Sequence, residues 1–164
     1  MKKLIAAAAA VLLTLTACAE EEAEWQFEGA IEVTNSYVRA TDGMTGMEAM
    51  MTGAFMDIKN NSDEDVSLIA ATSEAAGVVE IHEVVDGVMR QKEGGIFIAA
   101  GETQVLKPGG NHVMLMELAA PLIAGAEVRF TLEFSNGELV EVLAPIKEVN
   151  LDQEEYDDSA HSGM

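Results

Sequence analysis

Two of the chain's three histidines stand near methionines in short segments with the pattern of β-strands. In His112-Val113-Met114-Leu115-Met116 a strand's period of two sends His112, Met114 and Met116 to one face, and Val113 and Leu115 to the other. At roughly 3.3 Å of rise per residue, His112 and Met114 leave the strand about 7 Å apart, a gap that an imidazole and a flexible thioether can close around one ion. Thioether sulfur is soft and uncharged and selects Cu(I), whereas Zn(II), Mg(II) and Ca(II) favour thiolate, imidazole or oxygen. A His/Met set therefore points to copper. Core packing is the competing reading, because methionine is a common core filler and a strand histidine is usually satisfied by a hydrogen bond.

The other pair lies upstream. Val78 to Val85 alternates apolar with polar, and Asp86-Gly87 then gives a strong two-residue hairpin signal that returns the chain through Val88 and Met89. His82 and Met89 are thereby candidates for neighbouring strands. Four more methionines, Met44, Met47, Met50 and Met51, crowd one stretch, where they could shield a copper site, offer auxiliary ligands or simply pack. Met116 is a neighbour of the set, a packing or reserve residue. The chain closes on His161-Ser162-Gly163-Met164, which is either a frayed end or a flexible arm that takes a second copper.

The elements that must position these residues are strands. Ile31 to Thr34, Ala54 to Lys59, Val66 to Ala71, Ile96 to Ala99, Thr103 to Leu106, Glu127 to Phe134 and Glu138 to Leu143 are short extended segments, and Asn60-Asn61-Ser62-Asp63, Gly94-Gly95, Pro108-Gly109-Gly110 and Ser135-Asn136-Gly137 are turns. Eight or nine short strands without a long amphipathic helix predict an all-β antiparallel sandwich or barrel. Thr41 to Thr52, with Gly43 and Gly46, shows no clean alternation and is expected to be a loop, with room for a helical turn.

The N-terminal stretch bears on compartment. Lys2 and Lys3 precede an apolar run, Leu4 to Leu15, of signal-peptide length and too short to be a comfortable membrane span. It ends in Leu15-Thr16-Ala17-Cys18, which resembles the bacterial lipobox, so Cys18 is the expected lipidation site; an ordinary signal peptide is the alternative. The boundaries expected are a signal peptide at 1–17, a lipid-anchored acidic linker at 18–29, one domain at 30–147 and an acidic tail at 148–164. Cys18 is the single cysteine, which leaves no intramolecular disulfide. Removing Lys2 and Lys3 takes the formal charge from −20 to −22. Nucleic acid is thereby excluded as a partner, since its affinity rests on cations meeting phosphate.

The stretch from Val79 to Leu118 is similar to the spaced His, Met, His-x-Met signature of the periplasmic copper chaperones, the PCuAC family. The matching text is Glu80-Ile81-His82-Glu83, Gly87-Val88-Met89, Glu93-Gly94-Gly95 and Lys107-Pro108-Gly109-Gly110-Asn111-His112-Val113-Met114-Leu115-Met116. A wider likeness runs from Tyr37-Val38-Arg39-Ala40, through Lys59-Asn60-Asn61-Ser62, to Pro145. The resemblance implies a cupredoxin-like Greek-key β-sandwich that holds one Cu(I) with His82, Met89, His112 and Met114. It also implies transfer to a copper-accepting protein, with the binuclear copper centre of cytochrome c oxidase as the family's client. Six residues separate His82 from Met89, fewer than the family's usual ten, so a shortened hairpin carries Met89.

The expectation is thus an exported, lipid-anchored, monomeric Cu(I) metallochaperone rather than an enzyme, with no catalytic base, nucleophile or cofactor motif in view. Copper storage or scavenging, and a metal-independent cell-surface module, are the alternatives. A blue-copper electron carrier would need a thiolate beside the histidines, and Cys18 lies far from them in sequence.

Overall fold

A computed structural model describes residues 29–149. The expected signal segment, Cys18, most of the acidic linker, His161 and Met164 lie outside the described residues. Ten strands carry the fold: β1 (Ile31–Arg39), β2 (Met51–Asn60), β3 (Val66–Ser73), β4 (Ala76–Val85), β5 (Val88–Gln91), β6 (Ile96–Ile98), β7 (Thr103–Leu106), β8 (His112–Leu118), β9 (Glu127–Phe134) and β10 (Leu139–Lys147). The all-β expectation holds, with each strand read from the sequence present; β1 runs on to Arg39, and β5 as a separate short strand brings the count to ten. No helix among the described residues is long and apolar enough to cross a membrane.

The strand order is β5-β4-β8-β2-β1-β10-β9-β3-β6. One layer is β5, β4, β8, β2 and β1; the other is β10, β9, β3 and β6. The parallel pairing of β1 with β10 joins them through Val38↔Ile146 and Arg39↔Lys147, while every other pairing is antiparallel. The free edge of β2 is shared, first by β8 at Met51 to Ala54 and then by β7 at Met56 to Lys59.

Period-two alternation fills the space between the layers. Val128, Phe130, Leu132 and Phe134 on β9 and Val140, Val142, Ala144 and Ile146 on β10 point inward, against Ala54, Met56 and Ile58 of β2 and Val113 and Leu115 of β8. Each large apolar side chain so buried contributes about 1.5–3 kcal/mol. The Asn60 side chain pins the turn after β2, donating to the Glu64 carbonyl at 2.7 Å and accepting from the Ser62 hydroxyl at 2.6 Å. Fully buried Asn60 thus keeps its hydrogen bonds.

Thr41 to Thr52 divides differently from expectation. Gly46–Met50 forms a single 3-10 turn, but Met51 and Thr52 already belong to β2, where Met51 pairs with Met116 of β8. The hydrogen bonds of that pairing override the weak local pattern.

Candidate metal centre

The β4–β8 pairing decides the geometry. Its register sets His82 directly opposite His112, Glu80 opposite Met114 and Val78 opposite Met116. Directly opposed residues project from the same face, so both histidines and Met114 share the outer face of this layer. The rings of His82 and His112 lie 5.7 Å apart, edge to face at 64°. Asp86 and Gly87, with φ of 53° and 75°, form the tight turn between β4 and β5, as a type I′ hairpin requires. That hairpin places Met89 opposite Val84, and Gln91 opposite His82. Met89 is 52% exposed and lines a cleft of about 420 Å³ together with His112, Met114, Gly53, Phe55 and Arg39.

Hydrogen bonds fix which ring nitrogen each histidine presents. Nδ1 of His112 donates to the Gly110 carbonyl at 2.9 Å, since a carbonyl only accepts. Nε2 of His112 then carries the free lone pair, and it is buried without a partner. At His82 the arrangement is reversed: Nε2 lies 2.9 Å from Oε2 of Glu80, and Nδ1 is buried without a partner. Leaving a buried polar atom unsatisfied costs about 1–3 kcal/mol. Among the described residues only three buried side-chain nitrogens or oxygens are in this state, and two of them are these imidazole nitrogens; the third, Arg39 Nε, belongs to a residue lining the same cleft.

Burial, more than the repulsion from His82, pushes the His112 imidazole below its ordinary value of 6.5, although the Gly110 hydrogen bond works the other way. His112 is therefore held as a neutral donor. Phe55 covers it at a ring separation of 6.0 Å and is itself packed against Tyr37 at 5.1 Å. Gly53 leaves room for this cover: a Cβ there would sit 2.7 Å from the tip of the Phe55 ring.

His112 and Met114, only 3% and 8% exposed, are buried although they face outward, because Phe55 and the β4–β5 hairpin overlie them. Met51 and Met116 continue the same face two residues further along. Met44 is half-buried, whereas Met47 and Met50 are exposed, at 77% and 48%. Neither of those two lines the cleft. Among the described residues no group of three His, Cys, Asp or Glu side chains could hold a metal; the thioether that shares the cleft with His112 is that of Met114 on the same strand, with Met89 from β5. The sequence reading overlooked Glu80, Gly53 and Phe55. Glu80 had a signal, since it sits two residues before His82 and so on its face; the close approach of Gly53 to Phe55 had none.

Comparison with known proteins agrees with this architecture. The sequence pattern of the LpqE-like family matches residues 31–146. The chain is 38% identical over 157 residues to "Putative lipoprotein Lxx21020" of Leifsonia xyli subsp. xyli, covering 90% of this chain and 91% of that one. Among solved structures it is similar to the copper-bound PCuAC domain from PmoF2, with a TM-score of 0.61 and 21% identity over 74% of this chain and 95% of that one. It is likewise similar to CuI-DR1885 from Deinococcus radiodurans, with a TM-score of 0.57 and 27% identity over 77% and 85% of the two chains. The resemblance read from the sequence and the fold observed thus converge: the chain belongs to the LpqE-like family and carries the β-sandwich of the PCuAC type of periplasmic copper chaperone.

Proposed function

We propose that this protein is an extracytoplasmic Cu(I) carrier that holds one ion between His82, His112, Met114 and Met89 and releases it to an acceptor by ligand exchange. The observation that carries the reading is the pair of buried, unpartnered imidazole nitrogens on directly opposed strands. Two neutral nitrogens and two thioethers form a soft set that suits Cu(I) and is poor for hard divalent ions. The likeness to CuI-DR1885, itself a Cu(I)-bound protein, supports the same ion.

The division of the ligands supports transfer. His112 and Met114 are fixed and buried on β8, whereas Met89 stands half out of the surface on a four-residue strand. An incoming acceptor ligand displaces the most accessible thioether first, and the imidazoles then hand over the ion. Lipid on Cys18 would hold the carrier at the membrane, a reading supported by the name of the Leifsonia relative. The binuclear copper centre of cytochrome c oxidase is the client that the family resemblance implies.

The test is anaerobic Cu(I) titration of the soluble protein, Ala19 to Met164, against a competing chelator. One tight equivalent is expected, weakened tenfold or more in a His82→Ala, Met114→Ala double variant, equivalent to about 1.4 kcal/mol or more. Unchanged affinity in that variant contradicts the ligand set. A second equivalent would be assigned to the tail by truncation before His161.

A further inference from the structure

We propose that Glu80 is a positioning residue for this centre, holding His82 so that Nδ1, and not Nε2, meets the ion. The inference rests on the copper reading above and assigns a role to a residue outside the ligand set. A carboxylate only accepts hydrogen bonds, so the 2.9 Å contact requires a proton on Nε2 of His82, and in the neutral imidazole that metal binding demands this leaves Nδ1 bare. Nδ1 is the atom that is buried and without a partner. Metal-bound imidazoles commonly give their second N–H to a carboxylate or carbonyl, which fixes tautomer and ring rotation together. Here the two histidines divide those partners, Glu80 serving His82 and the Gly110 carbonyl serving His112.

Glu80 is distinct from the other carboxylate beside His82. Glu83, on the opposite face of β4, pairs with two cations, Lys92 at 2.6 Å and Arg90 at 2.9 Å. Those contacts hold the Glu83 carboxyl below the usual carboxylate range. Glu80 contacts the histidine instead, and its side chain is 29% exposed against 12% for that of His82. A neutral donor set leaves the bound ion with its full positive charge, and Glu80 places a negative charge one imidazole away from it.

Cu(I) is diamagnetic, so long-range proton–nitrogen correlation NMR of the loaded protein, Ala19 to Met164, reads which His82 nitrogen bears the metal. The wild-type protein is expected to show Nδ1 ligation. Glu80→Ala is expected to lose that single linkage and to weaken Cu(I) about tenfold or more, the usual scale for such partners. Glu80→Gln, whose amide oxygen still accepts the bond, is expected to retain Nδ1 ligation with a smaller loss. Should Glu80→Ala not fold, Glu80→Asp, which withdraws the oxygen by one methylene, carries the alanine expectation. Wild-type affinity and Nδ1 ligation in Glu80→Ala would overturn the positioning role alone. Failure of the wild-type protein to bind Cu(I) would instead overturn the copper reading and this role with it.

Discussion

His112 is the residue on which the centre turns, because one backbone carbonyl and one aromatic cover settle its tautomer, its charge and its exposure together. Its depressed pKa has a sign that can be measured. In the unfolded chain the imidazole titrates near 6.5, whereas burial in the native domain holds it below that value. As pH falls, the unfolded chain takes up the proton first, so stability present above 6.5 is lost as pH drops from there through the folded value. Urea unfolding of the apo protein between pH 8 and pH 5 is expected to show this loss, and His112→Gln is expected to flatten it. An equal slope in the variant would place the proton uptake elsewhere. If His112 is a ligand, proton competition for it is expected only as pH falls below 6.5 towards the lowered folded value. The sequence made His112 and Met114 legible as a pair because period two is a local rule. It could not show the burial of both, which comes from Phe55 and a hairpin distant in sequence.

At the scale of the element, β8 is a strand buried on both faces, Val113 and Leu115 inward and His112 and Met114 under their cover. Gly53 of β2 lies opposite Met114 and lets the Phe55 ring close over the histidine. Gly53→Ala would drive a methyl group into that ring, which also packs against Tyr37 and His112. Overpacking of this kind costs about 1–3 kcal/mol. The variant is expected to lower the unfolding free energy by that amount and to weaken Cu(I) several-fold, measured by urea denaturation and chelator competition; unchanged values in both would show that Phe55 yields freely. The hairpin at Asp86-Gly87 was legible because two consecutive positive-φ residues have a sequence signature. The β4–β8 register that opposes the two histidines was not, since 29 residues separate them along the chain and only tertiary pairing sets it. Met51 shows the same limit: it reads as loop and is strand, because Met116 supplies its partner.

For the whole molecule, two layers joined by the β1–β10 pair form a thiol-free scaffold among the described residues, and the centre sits on the outer face of one layer. On the proposed ligand set the ion would bridge β4 to β8, with β5 adding Met89, and would bind only when those strands are assembled. Cu(I) is expected to raise the midpoint of thermal unfolding under anaerobic conditions, since free ligand at a thousand times the dissociation constant stabilises by about 4 kcal/mol. The rise is expected to vanish in the His82→Ala, Met114→Ala variant; its persistence there would point to binding outside the centre. The net charge of −20 agrees with this picture only broadly, as acidic surface attracts many cations without selecting one. Selection has to come from the donor set. X-ray absorption spectroscopy of the anaerobic protein loaded with one equivalent of Cu(I) tests that set most directly. A mixed shell of imidazole nitrogen and thioether sulfur, with the sulfur signal reduced by Met114→Ala, is the predicted result. A shell of nitrogen and oxygen alone would contradict the assignment.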